Sequence, residues 1–498
     1  MLRAAETAAR RAFTDGRPMS EIRFETLGCR LNQSESEGAA RAFADAGFSV
    51  TLEPLVASSD KDDAALLCVV NTCTVTAKAE QKARRVIRTL LTKCPNAAVC
   101  VTGCYAQVES AFLRSMDTRV CVLVGQHKDV LADVPALLAS RLRKRNGEDT
   151  PDGAEIAATL QAFFNDGAEQ PVHTFRLATD TFVGHSRASL KVQDGCNGAC
   201  TYCRIRLARG ASVSLSVEEA VARARALEKA GQAETVITTV NIAQYRAPWQ
   251  GGTADFAVLL EELLSATERI RFRISSLHPE IVDRRLTAII AHPRVQPHFH
   301  LSVQSGSNAV LARMKRPYRA DTVYRAVELL RQAKDDPFLA CDIIAGFPGE
   351  TDEDFALTQR LCDECGFAWV HAFPFSPRPG TEAFSMRPMV ANTITNMRMA
   401  WLKDFAQAER RMYITRCAEK TFPAVCESVR RAPCAAGSVV HAVSSNFLHC
   451  ALVFTDGMLE LPSPGDAITV RVRRPLSDDE RIGERDTLAE LVAPAISC

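Results

Sequence analysis

The sequence predicts an α/β chain in three parts: an N-terminal doubly wound parallel α/β domain, a parallel partial (β/α)6 barrel, and a small antiparallel β-barrel at the C-terminal end. Three observations predict it. Short apolar runs alternate with helix-period stretches from Glu21 to Val124 and again from Leu190 to Phe375, the pattern of parallel sheets wound by helices. After Lys420 the texture changes to short strands separated by turns. The 498 residues suffice for about three domains of ~100–200 residues each.

Residues 1–19 are expected to be a disordered leader or a mis-called start, with Met19 as the true start. A targeting peptide is the competing reading, but such leaders are acid-poor and this one holds Glu6 and Asp15. The first domain is expected over 20–135. Its strands are Ile22–Leu27, Ala64–Val70, Ala97–Thr102 and Val120–Val124, and its helices are Ser34–Ala46 and Ala77–Leu91. The second helix carries Ala83, Val86, Ile87, Leu90 and Leu91 at the spacing of one buried face. Residues 136–181 read as a linker or insertion, because a basic run from Arg141 is followed by Asn146-Gly147, Pro151-Asp152-Gly153 and Asp166-Gly167.

The second domain is expected over 182–413. Its strands are Ser189–Val192, Thr235–Val240, Phe272–Ser275, Phe299–Val303, Ala340–Ala345 and Trp369–Phe373, with helices such as Val217–Ala230 and Asp321–Lys334 between them and a closing helix at 393–413. The β module is expected over 414–477, with strands Ala424–Ser428, Ser438–Val443, Cys450–Phe454 and Ala467–Val472. Residues 478–498 read as a C-terminal tail.

Apolar residues at 47 % and charged residues at 24 % exclude global disorder. No stretch approaches the ~20 apolar residues of a membrane span, and no secretory signal is evident. The expectation is a cytoplasmic protein whose 18 cysteines are reduced thiols or metal ligands rather than disulfides. A net charge of +1 confines any nucleic-acid contact to local basic patches.

The strongest chemical signal is Gly195-Cys196-Asn-Gly-Ala-Cys200-Thr-Tyr-Cys203, a Cys-x3-Cys-x2-Cys loop after a strand. Three thiolates so close can hold one [4Fe–4S] cluster and leave one iron open for substrate chemistry. A zinc site and unpaired structural thiols are the competing readings. A second set is dispersed: Cys29, Cys73 and Cys104 each follow the carboxyl end of a predicted strand, where ligands bind in doubly wound sheets. Cys73 also precedes the helix starting near Ala77, whose N-terminal dipole would favour thiolate. Buried inert thiols compete with this reading. Cys68, Cys94, Cys100 and Cys121 read as core. Cys362 and Cys365 form a CxxC pair without a redox context, and Cys341, Cys417, Cys426, Cys434, Cys450 and Cys498 show no ligand spacing.

The loop resembles the signature of radical S-adenosylmethionine (SAM) enzymes. Val192-Gln-Asp-Gly-Cys196 with Ala208-Arg-Gly210 resembles the methylthiotransferase branch. So do Thr26-Leu-Gly-Cys-Arg-Leu-Asn-Gln33, Asn71-Thr-Cys-Thr-Val-Thr76, Thr102-Gly-Cys-Tyr-Ala-Gln107, Arg273-Ile-Ser-Ser276, Ser302-Val-Gln-Ser-Gly-Ser307, Ile344-Ala-Gly-Phe-Pro-Gly-Glu350 and Phe375-Ser-Pro-Arg-Pro-Gly-Thr381. The resemblance covers roughly residues 21–475. It implies a methylthiotransferase domain with an auxiliary cluster, a radical SAM barrel, and a TRAM-like β domain. Within the family, Gly28-Cys29-Arg30-Leu31-Asn32-Gln33 and Cys73-Thr-Val-Thr76 look most like the branch acting on threonylcarbamoyladenosine in tRNA. The isopentenyladenosine branch and the branch that modifies a ribosomal-protein aspartate are alternatives, and a non-catalytic zinc or RNA-binding protein is a third. Two stretches depart from the family pattern: Arg204-Ile205-Arg206 where Ile-Ile-Pro is frequent, and Thr239-Val240-Asn241-Ile242 where Gly-Val-Asn-Ile is frequent.

The resemblance implies two [4Fe–4S] clusters. One, on Cys196, Cys200 and Cys203, binds and cleaves SAM; the other, on Cys29, Cys73 and Cys104, carries sulfur. The product would be the 2-methylthio derivative at adenine C2 of position 37 in the tRNA anticodon loop. Candidate SAM contacts are Asn241, Ser275, Gln304 and Asp342, placed near the C-terminal ends of barrel strands. An electron donor such as flavodoxin or ferredoxin is implied, with the sulfur donor undetermined. For RNA, Lys78, Lys82, Arg84, Arg85, Arg88 and Lys93 against Glu80 make one local basic run, a balance of +5. Such runs are more often plain solvated faces. Arg471, Arg473 and Arg474 form a smaller basic edge on the β module.

Overall fold

Ala65–Thr72 (β3) is buried at every one of its eight positions, which only a strand covered on both faces can be. In the computed structural model it lies at the centre of a parallel sheet with Glu21–Thr26 (β1), Ser49–Thr51 (β2), Ala98–Gly103 (β4) and Val120–Val122 (β5), in the order β2-β1-β3-β4-β5. The structure describes residues 20–56, 58–144, 152–167, 175–180, 186–431, 437–455, 461–480 and 485–496; the expected leader at 1–19 lies outside them. The chain divides into two units. The first comprises residues 1–184, 194–198 and 203–213; the second is the remainder.

Alternation along β3 builds two cores in the first unit. Leu67 and Val69 face one side with Ala39, Ala40 and Phe43 of helix Arg30–Asp45 (α1). Cys68 and Val70 face the other with Ala83, Ile87 and Leu90 of helix Ala77–Lys93 (α2). Thr76 starts α2, its hydroxyl accepting the Ala79 N–H at 3.1 Å. The strand order reverses beside β1, so the loops after β1 and β3 flank a switch point, the usual ligand crevice of such sheets.

Residues 136–181, expected as linker or insertion, instead carry part of this core. Helices Val134–Lys144 (α3) and Gly153–Gly167 (α4) contribute Leu138, Ile156, Leu160 and Phe164. Asp152 caps α4 by accepting the Glu155 N–H at 2.9 Å. A Cβ on Gly153 would lie 2.5 Å from the Ala97 carbonyl oxygen, so glycine permits the close docking. Gln161 Oε1 accepts the Val122 N–H of edge strand β5 at 2.9 Å. The turn-forming dipeptides at 152–153 and 166–167 are the ends of a helix.

The second unit holds six expected parallel strands: Ala188–Lys191 (β6), Glu234–Thr238 (β7), Arg271–Ile274 (β8), His298–Gln304 (β10), Phe338–Ala345 (β11) and Trp369–Pro374 (β12). They run as β8-β7-β6 and, after a change of neighbour at Ser275, as Ser276–Leu277 (β9)-β10-β11-β12. Helix Asn392–Arg416 (α5) follows. The C-terminal strands Thr421–Arg431 (β13), Gly437–Ser444 (β14), His449–Thr455 (β15), Ala467–Pro475 (β16) and Thr487–Ile496 (β17) close a barrel in the order β13-β14-β15-β17-β16. Two expectations are corrected here. Residues 478–498 are not simply a tail, because β17 is the strand that closes the barrel. The barrel is not purely antiparallel, because β15 and β17 pair in parallel.

Arg273 joins the sheet to the barrel. Its guanidinium donates to Glu234 at 2.6 and 2.9 Å and to the Ser444 and Ser445 carbonyls at 3.1 Å each. Burial alone would raise the Glu234 pKa, but Arg273 holds it below the usual carboxylate range. The pair's contribution is therefore complete above the unfolded carboxylate pKa of about 4.3 and is lost as pH falls below it. Arg273→Ala leaves a buried carboxylate with reduced compensation and removes a donor from the Ser445 carbonyl, whereas Ser444 O keeps the Phe447 N–H at 2.9 Å. Urea unfolding near neutral pH should show a loss of about 3–5 kcal/mol, and a loss under ~1 kcal/mol would contradict this assignment.

Candidate functional site

Cys29, Cys73 and Cys104 follow the carboxyl ends of β1, β3 and β4, which are neighbours in the sheet. Cys29 is exposed, whereas Cys73 and Cys104 are buried. Glycine geometry allows the approach. Gly28 has φ +103, and a Cβ there would lie 2.7 Å from the Cys73 Cβ; Gly103 has φ +91 and would clash with Asn71 and Thr72. The thiols feel one another electrostatically. Burial pushes the Cys73 thiol up to about 11; the Val75 N–H and Arg209 oppose the rise, and Cys104 and Cys29 add to it. Helix α2 begins at Ala77, four residues after Cys73.

Behind the thiols lies a buried charge network. Arg209 Nη1 is 2.9 Å from Asp194 Oδ1 and 3.1 Å from Glu35 Oε1, and Nη2 donates to Asn32 Oδ1 at 2.5 Å. Lys128 Nζ is 2.6 Å from Glu35 and 3.2 Å from Asp194. Asn32 Nδ2 in turn donates to the carbonyls of Leu27 and Thr72, at 2.8 and 3.1 Å, and so ties the ends of β1 and β3 together. Burial opposes the Arg209 charge, but Asp194 and Glu35 hold it firmly protonated. Arg209 and Lys128 both lower the cost of a thiolate at Cys104. Arg204, in the stretch that departs from the family pattern, donates to Glu80 at 3.2 Å and to Thr74 Oγ1 at 3.5 Å, beside Cys73.

The Cys196 loop is folded tightly. Gly195 has φ +67, and a Cβ there would sit 1.9 Å from the Ala211 carbonyl oxygen. The Cys196 N–H donates to Gly210 O at 3.0 Å, and Gly198 N–H donates to Cys196 Sγ at 3.2 Å. Cys196 and Cys203 belong to the first unit and Cys200 to the second, and all three are half-buried. In the second unit, Arg316 Nη1 donates to Cys200 Sγ at 3.3 Å. Burial opposes the Arg316 charge, and Tyr202, Tyr318 and Cys200 outweigh it.

Among the expected SAM contacts, Asn241 N–H donates to Gln193 Oε1 at 2.9 Å, and its own Oδ1 accepts the Ala243 N–H at 3.1 Å. Ser275 stands where the strand changes neighbour, and among the described residues neither its buried hydroxyl nor the Thr239 hydroxyl after β7 has a hydrogen-bond partner. Gln304 ends β10 in a left-handed conformation, φ +70. Asp342 departs from expectation. It lies in the middle of β11 rather than at its end, with its carboxylate 2.9 Å from His300 Nε2.

Arg209, Lys128, Glu35 and Arg316 were not among the sequence candidates. Only Arg209 left a trace, as the centre of Ala208-Arg-Gly210. Among the described residues, no three His, Cys, Asp or Glu side chains close on a single-ion site. Thiolates of a cubane each take a different iron and need not converge on one point. Three sulfurs at the ends of neighbouring strands are a donor set suited to such a cluster.

Residues 21–125 match the Uncharacterized protein family UPF0004, and residues 190–362 match the Radical SAM superfamily. The Threonylcarbamoyladenosine tRNA methylthiotransferase MtaB of Treponema pallidum is 42% identical over 496 residues, covering 91% of this chain and 98% of that one. The chain belongs to the MtaB family. The MtaB proteins of Thermotoga maritima and Bacillus subtilis are 34% and 33% identical, over 78% and 76% of this chain and 82% and 79% of theirs. A radical SAM member uses SAM and a [4Fe–4S] cluster.

Within this MtaB-family chain, Gly28→Ala forces a Cβ against Cys73 at positive φ. Chemical denaturation should show a loss of about 1–3 kcal/mol. Unchanged stability would mean the two loops are not packed as described.

Proposed function

We propose that this chain is a radical SAM methylthiotransferase that converts N6-threonylcarbamoyladenosine at position 37 of tRNA to its 2-methylthio derivative. The observation that carries the reading is the set of Cys29, Cys73 and Cys104 at the ends of three neighbouring parallel strands, in a chain that also has the Cys196-x3-Cys200-x2-Cys203 loop. In this reading Cys196, Cys200 and Cys203 hold the SAM-binding cluster, and the strand-end cysteines hold a second. When bound, these groups supply a 5′-deoxyadenosyl radical for replacing the inert C2–H of adenine, and the sulfur that becomes the methylthio group.

The chain's own residues position and balance that chemistry. Arg209 and Lys128 offset negative charge at the strand-end thiolates, and Arg316 does the same at Cys200. Asn241, Ser275 and Gln304 are assigned to SAM, with the unpartnered Ser275 hydroxyl offering a free hydrogen-bonding group. Asp342 is dropped from that set because His300 engages it. The reading keeps an N-terminal methylthiotransferase part, a radical SAM part and a TRAM-like barrel, the last now extended to 496. A cytoplasmic location and a small electron-transfer protein such as flavodoxin or ferredoxin go with it. Among the described residues no helix is long and apolar enough to cross a membrane.

Nucleoside analysis of tRNA from a strain lacking this chain tests the reading. It should lose 2-methylthio-threonylcarbamoyladenosine and retain 2-methylthio-isopentenyladenosine; an unchanged profile overturns it. Anaerobically purified protein should carry about eight irons, and Cys29→Ala should abolish methylthio transfer. Zinc without iron would remove the radical mechanism.

A further inference from the structure

We infer that the exposed face of α2 is the surface that grips the phosphate backbone of the RNA substrate. The inference rests on the tRNA reading above and names the part of the protein that would hold the RNA. Lys78, Lys82, Arg85 and Arg88 are all exposed. At 100° per residue they lie on one side of the helix, opposite the buried Ala83, Ile87 and Leu90. The stripe rises about 15 Å along the helix from Lys78 to Arg88. Its only acidic neighbour on α2, Glu80, is turned toward Thr74 and Arg204.

None of the four stripe cations forms an ion pair among the described residues, and the four share one helix face. The other basic side chains of α2 are committed: Arg84 donates to the Tyr105 hydroxyl at 2.8 Å, and Lys93 donates to the Ser59 carbonyl at 2.6 Å. On the C-terminal barrel, the basic edge suggested by the sequence is neutralised. Arg471 and Arg473 share Glu490 at 3.2 and 2.6 Å, Arg473 also meets Glu419, and Arg474 pairs with Glu480 at 2.7 Å. An RNA backbone must displace those carboxylates to reach the barrel arginines, whereas α2 offers its charge without competition.

The stripe is also fixed beside the sulfur-bearing end of the sheet. Cys73 lies four residues before α2, and Arg84 is bonded to the residue after Cys104. A polyanion held along α2 would keep its strand next to two of the three thiols. Lys78 and Lys82 are like charges at i,i+4, a spacing that weakens a helix rather than supports it, which is consistent with a role in binding.

The test uses anaerobically purified holoenzyme and an anticodon stem-loop RNA, with binding measured by fluorescence anisotropy over a range of salt. Lys82→Glu/Arg85→Glu should raise Kd at least about tenfold at low salt and flatten the slope of log Kd against log salt by about one to two. Lys82→Arg/Arg85→Lys should bind like the parent. Arg473→Glu, at an edge already paired, should change Kd less than about twofold. Iron content and circular dichroism of each variant establish that the fold is retained. Parent-like binding by the folded charge-reversal variant, or a larger loss from Arg473→Glu, overturns the inference while leaving the functional reading intact. A parent protein that binds no RNA at any salt overturns both.

Discussion

The buried guanidinium of Arg209 is the constraint on which the first unit's chemistry depends. Bringing two cations and two carboxylates out of water costs several kcal/mol per ion unless each is paired. Here each is: Arg209 and Lys128 share Asp194 and Glu35. That requirement fixes where Asp194 can lie, and Asp194 precedes Gly195-Cys196 in the chain. Arg209 also bonds Asn32, which holds the last turns of β1 and β3. One charge network therefore disciplines the loop leading to Cys196 and the loops bearing Cys29 and Cys73.

The same network bears on the thiols. Burial raises the Cys73 and Cys104 thiols, and Arg209 is the protein charge that most opposes the rise at Cys104. In the proposed cluster these thiols would be thiolates, and Arg209 is a charge that favours that form. In the second unit, Arg273 and Glu234 play a comparable structural part by joining a barrel strand to the β14–β15 turn.

Much of this was legible in the sequence because it is local. Short apolar runs and a helix-period stretch located β1, β3, β4 and α2, and the strand ends then placed Cys29, Cys73 and Cys104 without any contact being known. What escaped was non-local or disguised. Glu35 and Arg209 are 174 residues apart, so nothing in either neighbourhood announces the pair. Asp152-Gly153 and Asp166-Gly167 resembled turns because helix ends use the same residues as turns. Strand β17 was hidden by its short, charged approach, and its parallel pairing with β15 has no signature in a local window.

The central claim is that the strand-end cysteines form a metal site in their own right. The direct measurement is iron content and Mössbauer spectroscopy of the anaerobically reconstituted Cys196→Ala/Cys200→Ala/Cys203→Ala protein. The account predicts about four irons with the spectrum of one cubane, held by Cys29, Cys73 and Cys104. A folded variant that retains no iron would contradict it.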